Sequence, residues 1–180
     1  YYGKSIIAPE TKSKLLEEQS WRWYPWPTKI TTPGEHPEAL YADPALKTLK
    51  STAGATYLDQ YMLRLAETYL LRAEAFLMKG DKEKAANDIN EVRNRAHTSE
   101  VVASEVTIDY ILDERARELV YEEFRRITLG RLGKYVERVR KYNTLNGPRV
   151  EDYHELFPIP YSAIEANKDA VLEQNPGYKN

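Results

Sequence analysis

The sequence predicts an all-α domain of tetratricopeptide-like helix hairpins with long irregular proline-rich segments packed over them. Three observations predict it. Apolar residues recur at helical spacing through most of residues 57–142. A helix-ending glycine and a helix-capping aspartate stand side by side at Gly80 and Asp81. Six of the ten prolines (Pro9, Pro25, Pro27, Pro33, Pro37 and Pro44) crowd into the first quarter of the chain, where they fix φ and discourage helix.

The two regions divide the chain into an irregular segment, 1–56, and a helical domain, 57–180. Within the first, only residues 12–19 suit a short helix, and residues 23–27 are expected to be extended because prolines flank them. A structureless stretch of this length is unusual in an independent domain. It is expected to lie across the helices or across a part of the protein that precedes it.

The second region begins with Leu58, Tyr61, Met62, Leu65, Tyr69, Ala73, Phe76 and Leu77 on one helical stripe. Gly80 is placed to take the left-handed conformation that ends this helix, with Lys79 complementing its dipole. Asp81 then caps a second helix that buries Ala85, Ile89, Val92 and Ala96. So short a connection makes the pair antiparallel. A loop over 97–106 leads to Thr107, an N-cap for a third helix whose stripe runs through Ile108, Ile111, Leu112, Leu119, Val120, Phe124 and Ile127. Asp113–Arg117 and Glu122–Arg126 are spaced as i,i+4 ion pairs along it. Leu132, Tyr135, Val136, Val139 and Tyr142 predict a shorter fourth helix, and Asn146-Gly147-Pro148 a turn. The tail reads as extended pieces, a short helix at 162–167 and a small strand or hairpin. The spacing of Tyr69, Ala73, Phe76, Gly80, Ala85 and Ile89 fits one tetratricopeptide unit, with a degenerate second over 108–142.

Composition narrows the function. The chain has 180 residues, 42% hydrophobic and 30% charged, with a net charge of −2, which is the balance of a folded protein. Mixed charge gives no reason to expect nucleic acid or an anionic membrane as partner. No window is long and apolar enough to span a bilayer. With no cysteine, disulfide and thiol chemistry are absent from these residues. The opening Tyr1-Tyr2-Gly3-Lys4 carries no Met, signal peptide or lipidation signal, and the chain is expected to be a fragment whose beginning lies elsewhere.

Three segments in order carry a family resemblance: LAETYLLRAEA at 65–75 followed by ANDINEVRNRA at 86–96; ILDERARELVYEEFRR at 111–126; and LFPIP at 156–160, running to QNPGY at 174–178. Together they closely resemble the C-terminal region of the SusD/RagB family, over residues 57–178. One departure is visible: the family's second motif continues into a Trp-Asp-Leu-Arg type of sequence, whereas here Ile127-Thr128-Leu129-Gly130 follows Arg126. The resemblance implies a tetratricopeptide-like helical fold and a surface lipoprotein of the bacterial outer membrane. Such proteins sit over a SusC-like TonB-dependent transporter as a hinged lid, and capture oligosaccharides, or in some branches peptides, for import. The lipid anchor would lie at the family's mature N-terminus, outside this chain, and would be the only membrane contact.

Candidate chemistry is sparse. Glu114, Glu118 and Glu122 share one face of a helix, and glycosidases use two carboxylates about 5–10 Å apart. Arg115, Arg117, Arg125, Arg126 and Arg131 surround them, however, so an ion-pair network is expected rather than a general acid, whose pKa must be raised. His36, His97 and His154 lack ligand spacing and predict no metal site. Neither a phosphate loop, a nucleophile elbow nor a calcium loop is present. No catalytic residue, metal or cofactor is therefore assigned. The candidate ligand-binding residues are Trp21, Trp23, Tyr24 and Trp26, whose flat rings suit stacking on the C–H face of a sugar. Part of this run is equally suited to anchoring the segment by packing. The sequence thus predicts non-enzymatic oligosaccharide capture and delivery to an outer-membrane transporter, with a peptide-binding relative or a protein-binding scaffold as the alternatives.

Overall fold

The computed structural model describes residues 29, 36–53 and 61–179. The chain divides into two compact units, Tyr1–Tyr61 and Met62–Asn180. The expected helix at 12–19 and the extended piece at 23–27 lie outside the described residues.

In the first unit a small hairpin stands where the sequence predicts only irregular chain. Strand β1 (Tyr41–Asp43) pairs antiparallel with β2 (Thr48–Leu49). The turn is local chemistry: Asp43 Oδ1 accepts from the Ala45 and Leu46 amides at 2.9 and 3.1 Å, an Asx-type turn. Tyr41 is buried, and its hydroxyl accepts from the His36 amide at 2.8 Å.

The second unit is helical. Helix α1 (Leu65–Met78) and helix α2 (Lys82–Arg95) form the hairpin predicted from Gly80 and Asp81. Gly80 has φ +79. Its amide donates to the Leu77 carbonyl at 3.0 Å and the Asp81 amide to the Phe76 carbonyl at 2.9 Å, the paired bonds of a Schellman ending. Asp81 Oδ1 accepts from the Lys84 amide at 3.1 Å and caps α2. Leu70, Ala73, Ala85, Ala86, Ile89 and Val92 close the seam between the two helices.

Asp81 supplies a pH test. The side-chain hydrogen bond from Lys84, then the bond from the Lys84 amide, hold its carboxyl below the ordinary value. A lowered folded-state pKa means that the stabilisation is complete above the unfolded value, about 4, and is lost as the pH falls through the folded one. Asp81→Asn keeps the capping oxygen and removes the charge. Its denaturant midpoint should lie below that of the parent at neutral pH and converge with it in acid; a gap constant with pH would refute the assignment.

Helix α1 differs from expectation at its start. It begins at Leu65, not at 57: Arg64 is extended at φ −121 and ψ 151, and Tyr61 and Met62 are exposed. The Arg64 guanidinium bonds Glu118 and Glu122, which directs the chain across another element instead of up the helix axis.

The loop after α2 is pinned by Asn90, whose side chain donates to the Val101 carbonyl at 3.0 Å and accepts from the Val101 amide at 2.9 Å. Val101 and Val106 join the core as a result. Thr107 caps helix α3 (Ile108–Glu118) through the Tyr110 amide at 3.1 Å.

The predicted third helix is in fact two. Helix α3 ends at Glu118, Tyr121 turns at φ +65, and helix α4 covers Arg125–Arg131. The cause is buried charge. In a continuous helix Glu123 would lie eight residues, about 12 Å along the axis, beyond Arg115. The break folds it back so that Arg115 Nε bonds Glu123, while Thr128 Oγ1 donates to the same carboxylate at 3.0 Å. One outcome is that Val120, Phe124 and Ile127, expected in the apolar stripe, are exposed, Phe124 to 80%. Helix α5 (Tyr135–Tyr142) follows, then a 3-10 turn at Gly147–Arg149 and helix α6 (Tyr161–Ala166). The degenerate second hairpin over 108–142 is therefore three short helices. Among the described residues of the tail there is no strand.

Candidate functional site

The aromatic run Trp21, Trp23, Tyr24 and Trp26 lies outside the described residues. The described surface offers an ion-pair lattice, an arginine–aromatic stack and an open groove.

The lattice contains the carboxylate row singled out in the sequence. Glu114 Oε2 accepts from Arg93 Nη1 and from Arg117 Nη2, each at 2.6 Å. Glu118 Oε1 accepts from Arg64 at 2.7 Å and from Arg95 at 2.8 Å. Glu122, beyond the end of α3, accepts from Arg64 Nε at 2.6 Å. The Arg64 guanidinium is half-sheltered; burial opposes its charge, but the bonds to Glu122 and Glu118 outweigh that and raise its pKa. These carboxylates are committed as acceptors that tie α1 and α2 to α3. As the sequence predicts, the row is an ion-pair network, but not with the partners that spacing suggests. Asp113 pairs with Arg138 instead of Arg117, and Arg126 pairs with no carboxylate that spacing offers it. Arg64, Arg93 and Arg95 supply the missing donors from other elements. Spacing along one helix cannot reveal such pairs, although the density of arginine beside the first and second motifs is a signal of them.

Two further bridges join α1 to its neighbours. Arg72 takes Asp88 in a two-pronged contact at 2.6 and 2.7 Å across the α1–α2 seam. Arg131 takes Glu74 likewise, with Nη2 at 2.8 Å, and that bond raises the Arg131 pKa.

The arginine–aromatic stack centres on Arg126. Its guanidinium lies 3.5 Å from the Tyr135 ring centroid and 4.3 Å from that of Phe157, a distance at which the ring quadrupole attracts a cation. Beside it, Val136, Glu137, Arg140, Lys141, Asp152 and Glu155 line an open groove of about 610 Å³. Arg140 bonds Asp152 at 2.7 Å, and Glu155 Oε1 accepts from the Val136 amide at 2.8 Å, while Glu155 Oε2 is buried with no hydrogen-bond partner among the described residues. The groove offers donors and acceptors but no nucleophile–base pair. Among the described residues no three or more His, Asp or Glu side chains are grouped as a metal site, and no helix is long and apolar enough to cross a membrane.

Comparison with known proteins decides the family. The SusD family model matches residues 18–178. The chain belongs to the SusD family. It is similar to the starch-binding protein SusD of Bacteroides thetaiotaomicron, at 40% identity over 138 residues, which is 72% of this chain and 24% of that one. Among solved structures it is similar to BT4246, with a TM-score of 0.55 and 26% identity over 73% of this chain and 26% of the other. The chain thus spans about a quarter of the length of these relatives. Membership in the SusD family agrees with the mainly helical fold and with the three motifs read from the sequence. Those motifs fall on structural parts: the first builds the α1–α2 seam, the second the α3–α4 break, and the third the extended tail. That explains why a SusD-family signature is legible here without a ligand site being legible with it.

Proposed function

We propose that this chain is the helical C-terminal part of a non-enzymatic capture protein. In this reading it binds oligosaccharide at the bacterial cell surface and passes it to a SusC-like TonB-dependent outer-membrane transporter. The observation that carries the reading is the 40% identity over 138 residues to a starch-binding SusD. Attachment to the outer membrane is through a lipid outside these residues. The segment 1–56 and the helical domain 57–180 divide the work: the first bears the rings of Trp21, Trp23, Tyr24 and Trp26 that stack on sugar, and the second is a rigid support. The ion-pair lattice supports the second half of that division, since each carboxylate of the Glu114, Glu118 and Glu122 row is occupied by guanidinium.

Calorimetry tests it. The protein is titrated with linear α-glucan oligosaccharides, other glycans and short peptides, beside a variant with Trp21, Trp23 and Trp26 changed to Ala. Glucan binding is expected, weakened about tenfold or more in the variant if two rings each contribute on the order of 1 kcal/mol. Full affinity in a folded variant would remove these rings from the site. A signal from peptides alone would move the protein to peptide capture. Silence from every ligand, with the transporter still bound, would make it a protein-binding scaffold.

A further inference from the structure

Helix α6 is followed by residues 167–173, which form no regular element and leave Val171 90% exposed. Beyond them the chain becomes specific again. The Gln174 side-chain amide treats Ile159 as a strand would: its oxygen accepts from the Ile159 amide at 2.8 Å and its nitrogen donates to the Ile159 carbonyl at 2.9 Å. Asn175 Nδ2 donates to the Phe157 carbonyl at 2.7 Å, and the Tyr178 hydroxyl to the Leu156 carbonyl at 2.8 Å. Side chains of one short segment thus satisfy the backbone of another, and neither is part of a sheet.

The fit is close at one point. Gly177 has φ +88, and a Cβ there would stand 2.3 Å from the Tyr153 ring. Tyr153 meets the Tyr178 ring edge-on, at 4.9 Å between centroids. The segment the tail grips also carries Phe157, which is 62% exposed and lies against the Arg126 guanidinium. Arg126 Nη2 donates to the His154 carbonyl from the same side.

We propose that residues 174–178 are a strap that closes over residues 156–159, and that its closure is what seats Phe157 on Arg126. The intervening loop contributes little packing of its own, so the strap is held by its hydrogen bonds and by the Tyr153–Tyr178 contact. Opening it frees the backbone of 156–159 and withdraws Phe157 from the stack, while the α1–α2 core, built from other residues, keeps its structure. Gly177 is the residue on which closure depends, because any side chain there meets Tyr153 and an L-residue is strained at that φ.

The test is amide exchange and side-chain chemical shifts by NMR on the full chain, its Gly177→Ala and Gln174→Ala variants, and a chain ending at Glu173. The Ile159 amide should exchange about tenfold faster or more once the Gln174 oxygen is gone, as expected of one lost hydrogen bond opening locally. In Gly177→Ala and the shortened chain, the Arg126 side-chain protons should also lose the part of their upfield shift that the Phe157 ring imposes, keeping the part due to Tyr135. Exchange in α1 and α2 should not change. An Arg126 shift identical to that of the full chain in the shortened one would overturn the proposal, as would unchanged exchange at Ile159. An equal loss of protection in α1 and α2 would also overturn it, by making the tail part of the core. Should Gly177→Ala fail to fold, the shortened chain and Gln174→Ala still decide.

Discussion

Arg115→Met is expected to destabilise the protein by about 3–5 kcal/mol, the loss typical of a buried ion pair that keeps only one partner. Arg115 is 1% exposed. It bonds Glu123, whose side chain is 4% exposed, and reaches Glu67 at 3.2 Å. Methionine fills much of the volume but leaves the Glu123 carboxylate buried with the Thr128 hydroxyl and the partly exposed Arg125 as its remaining partners. The α3–α4 break would lose the contact that folds it back. Adding Glu123→Leu should recover part of the loss, because removing both charges is far cheaper than stranding one. Denaturant unfolding followed by circular dichroism measures both. A loss under about 1 kcal/mol for Arg115→Met would show that the break is held by its backbone and not by this pair.

Ile89→Ala is expected to cost about 2–5 kcal/mol, from lost transfer free energy and the cavity that rigid neighbours leave. Ile89 is fully buried in the core cluster that includes Leu70, Ala73, Ala85 and Ala86. Alanines on both sides of it have nothing with which to fill the space. The comparison that gives this number meaning is Phe124→Ala, which a continuous apolar stripe would rank among the costliest changes in the chain. With the ring exposed, the expected change is within about 0.5 kcal/mol. If the same unfolding measurement ranked Phe124→Ala above Ile89→Ala, Phe124 would be part of the core and the α3–α4 break would not leave it exposed.

These two residues also mark how far the sequence could be read. Ile89 is legible because its burial follows from a local rule: period 3.6 on a helix whose start is announced by Asp81 and by the Gly80 before it. Phe124 is not, because its fate depends on Arg115 and Glu123 meeting, and a pairing that bends the chain leaves no mark on apolar spacing. Arg64 repeats the lesson at the start of α1, where Tyr61 and Met62 continue the stripe in sequence but an ion pair to Glu118 and Glu122 takes the backbone away from the helix. The tail strand expected near 156–178 is a related case. The extended backbone is there, but the Gln174 amide serves Ile159 in place of a second strand. The proposed ligand side rests on residue types alone, the rings of Trp21, Trp23, Tyr24 and Trp26, since stacking surfaces have no fixed spacing.

The turn between the first two helices has a consequence for how the protein comes apart. Asp81 closes α1 through its amide and opens α2 through its carboxylate. One residue thus serves both helices, while Lys79 and Gly80 are bonded back into α1, which leaves little slack through which either could unwind from that end. Fraying has to begin at the far ends, near Leu65 and Arg95, and reach the turn last. The two helices should therefore behave as one cooperative block, and inserting even a single residue between Lys79 and Lys82 should disturb both of them.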